Sequence, residues 1–411
     1  GAGLTVTDEV KTNKVSPATG TAFALGDSGD TFTVPSGATF VVAGTTEITG
    51  TNNVQRPNVQ PLWMNGDFAV SQRATSAASL TASGFHTVDR YRMGYNDAGT
   101  WTQTQESLTT GDAYTDGFSN SIKMDCTTAK GSLAVNTELW IEERFEGQDL
   151  QLLKKGTANA EKLTIGFWVK ATKTGTYILS IYDNDNTRQC SQSYTVSSGD
   201  TWEYKVVNFP ADTTGVLDND NAASFRIFFF IAMGTNYTSG TLATTWAAFA
   251  NANQAVGQVN GADSTSNNFE ITGVQMEVGE YTSSTIPPFQ HESYGDNLAR
   301  CQRYYYLHAE ALNFFICLNS YYTSTDIQGA MFFKQSMRAP PTGDMTSGTG
   351  YFIIHSDSAG DAINDLTAEK ITVNGCSLTA DSADGVSGTA GNAGRIKTND
   401  AAAVVAFSAE L

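Results

Sequence analysis

The central part of the chain alternates short apolar runs with clusters of Gly, Asn, Asp, Ser and Thr. In residues 274–278 (VQMEV), the apolar positions recur at every second residue. This period is typical of a strand with one buried face and one face in water. Hardly any segment of 65–279 keeps a helical period for three turns. The pattern predicts a β-sandwich over 65–279, closed by its first and last strands, because Phe68 and Val70 alternate in the same way.

Composition and net charge exclude some classes of binding partner. The 411 residues are 40% hydrophobic and 11% aromatic, enough for packed cores, while charged residues make up 16%. The net charge of −18, from 24 Lys and Arg against 42 Asp and Glu, excludes the basic surface that nucleic acids need. The longest apolar run, 225–233, is far shorter than the roughly 20 residues of a membrane-spanning helix. We therefore expect neither nucleic-acid binding nor membrane insertion.

The cysteines predict no disulfide framework and no zinc site. They are odd in number, widely spaced and without a CxxC pair: Cys126, Cys190, Cys301, Cys317 and Cys376. Secreted disulfide scaffolds and zinc sites require closer spacing. We expect free, largely buried thiols in a chain that folds in a reducing cytoplasm.

Six motifs in ordered succession resemble the tail-fibre and receptor-binding proteins of tailed bacteriophages. They cover about 61–306 and comprise NGDFAVSQRATS (65–76), VDRY (88–91), FWVKA (167–171), TWE (201–203), QMEVG (275–279) and GDNLARCQRYY (295–305). The resemblance implies an all-β protein with a jelly roll similar to carbohydrate-binding modules at 61–290 and a C-terminal β-sandwich-like domain at 291–411. Residues 1–60 have few large apolar side chains, so a β-rich stem or N-terminal connector is expected there, and a flexible linker is the alternative.

Several local contacts can also be predicted. Residues 167–182 resemble a hairpin that turns at 173–175, with Trp168 in the core. Arg73 on the first strand is expected to face Glu277 on the last. Residues 297–303 are predicted to form a short helix with an aspartate near its N-terminus, where the helix dipole favours negative charge.

Sugar recognition requires aromatic rings for the apolar face of a pyranose and polar groups for its hydroxyls. Four aromatic residues lie near amides and carboxylates in turns or in the long connection from 234 to 268, and are predicted to bind a glycan: Trp101, Tyr182, Tyr237 and Trp246. Core packing is the alternative for each of them.

No cofactor is expected. A structural calcium ion is the one candidate to consider, because carboxylates are close together in two turns. Its candidate ligands are the carboxylates Asp183, Asp185, Asp218 and Asp220. The glycine and terminal glutamate of a complete calcium loop are missing, so solvated turn residues are favoured.

Catalysis is the rival class of function, because some phage spikes cleave the polysaccharide that they bind. Glycoside hydrolysis uses two carboxylates that flank a cleft. In the acidic segment 138–146, Glu138 and Glu142 share one strand face and Glu143 lies on the other, which favours a polar sheet surface. We therefore expect a binding protein and no enzyme.

The resulting hypothesis is a virion tail-fibre protein, assembled in the host cytoplasm, that attaches the phage to a bacterial surface polysaccharide or lipopolysaccharide. Similar fibre proteins are homotrimers that contact other virion tail proteins, and the same is expected here. The alternatives are a structural fibre or capsid decoration protein without glycan binding, and a polysaccharide depolymerase.

Overall fold

A computed structural model describes residues 60–356 and 359–411, which belong to one compact unit. The predicted stem, except for Gln60, lies outside the described residues. The predicted all-β class is confirmed, since the described residues form four antiparallel sheets joined by short helices and loops.

Two of these sheets pack into a sandwich. Its strands and helices are β1 (Ser76–Leu80), β2 (Gly84–Phe85), β3 (Arg92–Asn96), β4 (Thr100–Ser107), α1 (Asp112–Thr115), β5 (Asn120–Thr128), β6 (Glu138–Glu146), β7 (Leu163–Ala171), β8 (Gly175–Asp183), β9 (Arg188–Val196), β10 (Glu203–Phe209), β11 (Ala223–Met233), α2 (Thr235–Thr238), β12 (Ala247–Ala248) and β13 (Asn268–Val278). The first sheet has the order β1-β4-β5-β13-β7-β10, and the second has the order β12-β9-β8-β11-β6-β3-β2.

The inner faces of these sheets form the main core because apolar residues alternate along each strand. On β7, Ile165, Phe167 and Val169 are fully buried between the sheets. Phe167 meets Phe229 of β11 edge-to-face, with ring centroids 5.1 Å apart. This contact joins the two layers across the core.

Three local predictions are corrected by the structure. β7 and β8 belong to different sheets, so residues 173–175 connect the two layers and form no hairpin. The whole of β13 from Phe269 to Glu277 is buried, because the segment that follows covers its outer face; there, the Gln275 amide donates to the Pro287 carbonyl. Trp168 is half-buried on the outer face and donates to Asp116.

The predicted closure of the sandwich is present in part. The Val274 amide donates to the Gly66 carbonyl at 2.9 Å, so the segment before β1 lies against the last strand. A Cβ atom at position 66 would lie 2.0 Å from the Val274 carbonyl oxygen, which explains the glycine. Residues 65–70 nevertheless form no strand, and the first strand is β1.

The C-terminal part contains one helix and two further sheets. Its elements are α3 (Tyr294–Cys301), β14 (Tyr305–Glu310), β15 (Phe315–Tyr321), β16 (Ile327–Phe332), β17 (Thr342–Met345), β18 (Phe352–Ser356), β19 (Ala359–Ile363), β20 (Thr367–Thr372), β21 (Gly375–Ala380), β22 (Ala393–Thr398) and β23 (Val404–Ser408). The sheet orders are β14-β23-β17 and β19-β18-β22-β15-β16-β21-β20. These strands enclose a second hydrophobic core, whose members lie between Tyr306 and Ala409. The boundary at 290/291 stays a prediction.

Helix α3 begins where the sequence places it, within three residues. The Ser293 hydroxyl accepts a hydrogen bond from the Asp296 amide. Asp296 lies in the first turn, where the positive end of the helix dipole stabilises its negative charge. The Asn297 side chain reaches back to Asn65 and Asp67 at the start of the sandwich. The helix therefore attaches the C-terminal strands to the sandwich.

A buried ionic cluster also joins the last residues of the chain to the sandwich. In place of the expected Glu277, Arg73 pairs with Glu410 at 3.2 Å. The buried Arg90 pairs with the same carboxylate at 2.6 Å and lies over the Tyr304 ring. Glu143 lies beside Arg90, with its nearest oxygen 4.0 Å from Nε. The motif arginines are thus structural ties between strands that are far apart in sequence.

Candidate functional site

The outer face of the second sandwich sheet carries a row of aromatic and charged side chains. On β11, Arg226, Phe228 and Phe230 point away from the main core, opposite to the buried Ile227 and Phe229. Phe228 is paired with Glu142 on β6, and Phe230 with Trp140. On the other side of β11, Arg226 is paired with Tyr182 of β8. The strand period therefore brings these side chains to one face.

Trp140 can lie flat on this face because its neighbour on β3 is a glycine. Gly94 is paired with Trp140, and a Cβ atom at position 94 would lie 1.9 Å from the indole ring. The indole meets Phe228 and Phe230 edge-to-face at 5.7 and 6.3 Å. Its Nε1 is buried without a hydrogen-bond partner among the described residues.

The connection that follows β11 forms the wall above this face. Helix α2 carries Tyr237, whose hydroxyl is hydrogen-bonded to Glu138 at the start of β6. The Ala255 amide donates to the Tyr237 carbonyl at 2.9 Å, which joins α2 to a later part of the same connection. Phe249 packs edge-to-face against Tyr182 with centroids 4.9 Å apart.

These side chains enclose a cavity of about 270 Å³ on the outer face of the sheet. Its lining combines six aromatic rings and one methionine with a carboxylate, a guanidinium and two amides: Glu138, Trp140, Tyr182, Arg226, Phe228, Phe230, Met233, Tyr237, Phe249, Asn251 and Gln254. This aromatic pocket has the mixture of flat apolar surface and convergent polar groups that small polar ligands with an apolar face require.

The guanidinium of the aromatic pocket is fixed by a buried carboxylate. Arg226 donates through Nε and Nη2 to Glu142 Oε2, at 2.9 and 2.8 Å. Arg92 and Arg144 bind Oε1 of the same carboxylate, at 3.0 and 2.8 Å. Glu142 is fully buried while the arginines are about a fifth to a quarter exposed. One carboxylate thus orients three guanidinium groups along the sheet face.

Glu138 and Tyr237 form a polar pair inside the aromatic pocket. Partial burial raises the pKa of Glu138, and the hydrogen bond from Tyr237 opposes that rise. Burial and the hydrogen bond to Glu138 raise the pKa of Tyr237 far above its ordinary value. The phenol therefore remains protonated at neutral pH and donates to the carboxylate, whose second oxygen can accept from a ligand hydroxyl.

Of the four predicted glycan-binding residues, the structure brings two together. Tyr182 and Tyr237 both line the aromatic pocket. Trp101 does not, because it is fully buried in the sandwich core, where its Nε1 donates to the Ala98 carbonyl. Trp246 stacks on Phe225 at 5.7 Å and donates to the Pro210 carbonyl, away from the pocket. Core packing, the alternative weighed for each residue, is correct for Trp101.

The sequence interpretation missed Trp140 and the two outward phenylalanines. Trp140 lies between Glu138 and Glu142 at alternate positions, so the period of two could have placed it on their face. Phe228 and Phe230 belong to an apolar run that is buried on both sides, in which alternation gives no signal. The faces assigned to the three glutamates are correct, but Glu142 and Glu143 are buried and form no exposed polar surface.

Three of the four carboxylates compared with a calcium loop, those of Asp183, Asp185 and Asp220, have protein partners. Asp183 binds Lys155 and Asn186, and Asp185 accepts from the Asp218 amide at 2.9 Å. Asp220 accepts from the Ala222 amide. Within 60–356 and 359–411, no group of three or more His, Cys, Asp or Glu side chains could hold a metal ion. The expectation of no structural calcium stays a prediction.

Two further expectations concern the cysteines and the membrane. All five cysteines are buried and free, as predicted. Among the described helices, none has the length and apolar character needed to cross a membrane.

Comparison with known proteins gives neither a matching family model nor a matching curated protein. Solved structures that resemble parts of the chain include the following three. The enzymatically active domain of tailspike protein 4 of bacteriophage CBA120 has a TM-score of 0.28 and 13% identity over 53% of this chain and 21% of its own. A putative sugar binding protein from Bacteroides thetaiotaomicron has a TM-score of 0.27 and 16% identity. The match covers 53% of this chain and 100% of that protein's chain. A Clostridium thermocellum xylanase structure, complexed with xylohexaose, has a TM-score of 0.25 and 12% identity. The match covers 50% of this chain and 30% of the xylanase chain. The present chain spans about a fifth of the length of that tailspike domain.

Proposed function

We propose that this protein binds a glycan in the aromatic pocket, without cleaving it, and serves as a phage tail-fibre or receptor-binding protein on a bacterial surface. The observation that carries the binding proposal is the convergence of Trp140, Tyr182 and Tyr237 with the polar groups of Glu138 and Arg226 in one cavity. Aromatic faces supply contact area for a pyranose, while the carboxylate and guanidinium fix the orientation of its hydroxyls.

The size of the aromatic pocket favours one sugar residue with its neighbours outside. Its volume of about 270 Å³ lies just below the roughly 300–1,000 Å³ of pockets for drug-sized ligands. A single site of this size gives modest affinity, which several copies on one virion would multiply through avidity.

The surroundings of the carboxylates favour binding over hydrolysis. A glycosidase needs two carboxyl groups that both reach the substrate. Glu142 is fully buried and occupied by Arg92, Arg144 and Arg226, so it is poorly suited to act on a ligand beside Glu138. Release of new reducing ends from a bound polysaccharide would favour the depolymerase alternative.

The phage role rests on the ordered sequence motifs of residues 61–306. It implies a virion location, contacts with other tail proteins and a homotrimer, all of which we include in the proposal. The surface ligand would be a bacterial polysaccharide or lipopolysaccharide.

The proposal can be tested by sedimenting the fluorescently labelled chain with a panel of intact bacteria. Binding to some strains, competed by their extracted polysaccharide and reduced in Tyr182→Ala, is expected. Tyr114→Ala is the matched control, because Tyr114 is an exposed aromatic residue of the sandwich outside the aromatic pocket. Absence of binding across a broad panel would favour a structural virion fibre instead.

A further inference from the structure

The outer face of the seven-stranded C-terminal sheet exposes an unusual amount of apolar surface. Phe332 is 78% exposed, Tyr322 71% and Leu318 69%. Three more large apolar side chains in or beside the start of β15 are at least half exposed: Leu312, Phe314 and Phe315. We call these six residues the apolar stripe. Soluble monomers seldom carry such a concentration within one short segment.

Strand register places the apolar stripe between two regions of opposite charge. On one side, Leu318 is paired with Arg395 of β22 and Phe315 with Lys397. On the other side, the face continues across β16 and β21 to Glu369, which is paired with Ser377. Four strand spacings of about 4.8 Å separate β22 from β20, so Arg395 and Glu369 of one chain are about 19 Å apart.

The acidic region is a depression beside Tyr322. It has a volume of about 350 Å³ and is lined by four carboxylates: Asp326, Glu369, Asp381 and Asp384. Within the described residues, none of these carboxylates forms an ion pair, and neither does Arg395 or Lys397. The same face therefore offers an unpaired basic edge and an unpaired acidic depression.

The exposed area of the apolar stripe matches the needs of a stable association. A large side chain that is 50–80% exposed offers on the order of 100–150 Å². Six of them give roughly 600–900 Å², a range that includes the ~800 Å² per partner in a standard protein interface. The flanking charged residues would extend this area as a polar rim.

We propose that this sheet face is the interface between copies of the chain. The partner is a second copy because the face complements itself: the basic edge of one chain can meet the acidic depression of the next while the apolar stripes cover each other. Residues on this face do not line the aromatic pocket, so this inference is independent of the glycan proposal.

The first test measures the mass of the full chain at micromolar concentration by light scattering, together with hydroxyl-radical labelling. Because both copies contribute the same face, the expected mass is an even multiple of 43.9 kDa: two copies, or six where two of the proposed homotrimers meet at this face. Phe315, at 56% exposure, should be labelled several times more slowly than Tyr294, at 59%, because the second copy covers it. A monomer, a mass of three copies, or equal labelling of these two residues would overturn the proposal.

Charge exchange tests the predicted orientation. Arg395→Glu should weaken association at least tenfold and raise the labelling of Phe315 towards that of Tyr294. Adding Glu369→Arg to that variant should restore protection, because the exchanged charges meet between copies. The labelling readout remains valid if another segment also holds the copies together. Failure of the double variant to recover protection would contradict the proposed contact.

The apolar contribution is tested with Leu318→Ser, and Val216→Ser provides the matched control on the sandwich, where Val216 is 63% exposed. Leu318→Ser should increase labelling of Phe315, whereas Val216→Ser should leave it unchanged. Circular dichroism of each variant shows that the fold is retained. Equal effects of the two substitutions would contradict a specific interface.

Discussion

Glu143 should make the stability of this protein decrease as pH rises through neutrality. Its carboxylate is fully buried, and neither oxygen has a well-formed hydrogen bond within the described residues. Burial raises its pKa from the ordinary 4.5 to about 8, despite the nearby Arg90 and Arg300. Arg90 is shared with Glu410, which limits its ability to compensate the charge on Glu143.

The direction of this pH dependence follows from proton binding. Between pH 4.5 and about 8, the folded chain keeps the Glu143 proton while the unfolded chain has lost it. Stability from this group is complete below pH 4.5 and is lost as pH rises to about 8. Each pKa unit corresponds to about 1.4 kcal/mol. The free energy of unfolding should therefore fall by about 2 kcal/mol between about pH 6.5 and about pH 8.5. Over the whole range in which the folded and unfolded chains differ in protonation, it should fall by about 5 kcal/mol.

The assay is urea unfolding of the wild type and Glu143→Gln at several pH values. The glutamine keeps the shape of the protonated acid but cannot lose the proton, so the difference between the two proteins isolates this group. The free energy of unfolding of the wild type should fall by about 2 kcal/mol relative to the variant between about pH 6.5 and about pH 8.5. The exposed Glu310→Gln is the control. Parallel pH profiles for wild type and Glu143→Gln would refute the reasoning.

Three further substitutions test the sheet and its pocket. Glu142→Ala should lower the free energy of unfolding by about 3–5 kcal/mol in urea titrations, because it leaves three guanidinium groups without their shared carboxylate; a loss below about 1 kcal/mol would contradict this. Gly94→Ala should displace the Trp140 indole and weaken glycan binding about tenfold in direct titrations, and unchanged Trp140 fluorescence and affinity would disprove the predicted clash. Trp101→Phe should reduce stability by about 2 kcal/mol in thermal unfolding through lost volume and one hydrogen bond, while glycan affinity stays unchanged; a selective loss of affinity would instead return Trp101 to the binding site.

The strand architecture could be predicted from the sequence because alternation is a local property. The inner positions of β7 and the faces of Glu138, Glu142 and Glu143 follow directly from the period of two. The hairpin at 173–175 was wrong because a short turn-like connection can also lead from one sheet of a sandwich to the other. Local pattern contains no information about which of these two routes the chain takes.

The pocket and the ionic cluster depend on longer-range packing. Tyr182 and Tyr237 were predicted from composition, yet their meeting depends on how the connection after β11 folds back over the sheet. Arg90 and Glu410 are 320 residues apart, so no sequence spacing could predict their pairing. Trp101 and Tyr182 were both selected as aromatic residues near polar side chains. Trp101 is a core residue because its strand position turns it to the inner face of the sandwich.

The measurement that tests the central claim most directly is a calorimetric titration with polysaccharide extracted from a strain that the protein binds. The wild type, Tyr182→Ala, Tyr237→Ala and the control Tyr114→Ala should be compared at one pH. The account predicts that each pocket substitution raises Kd at least tenfold, through lost ring contact at Tyr182 and a lost partner of Glu138 at Tyr237, while the control binds as the wild type does. Equal affinity of all four proteins would contradict a glycan site in the aromatic pocket.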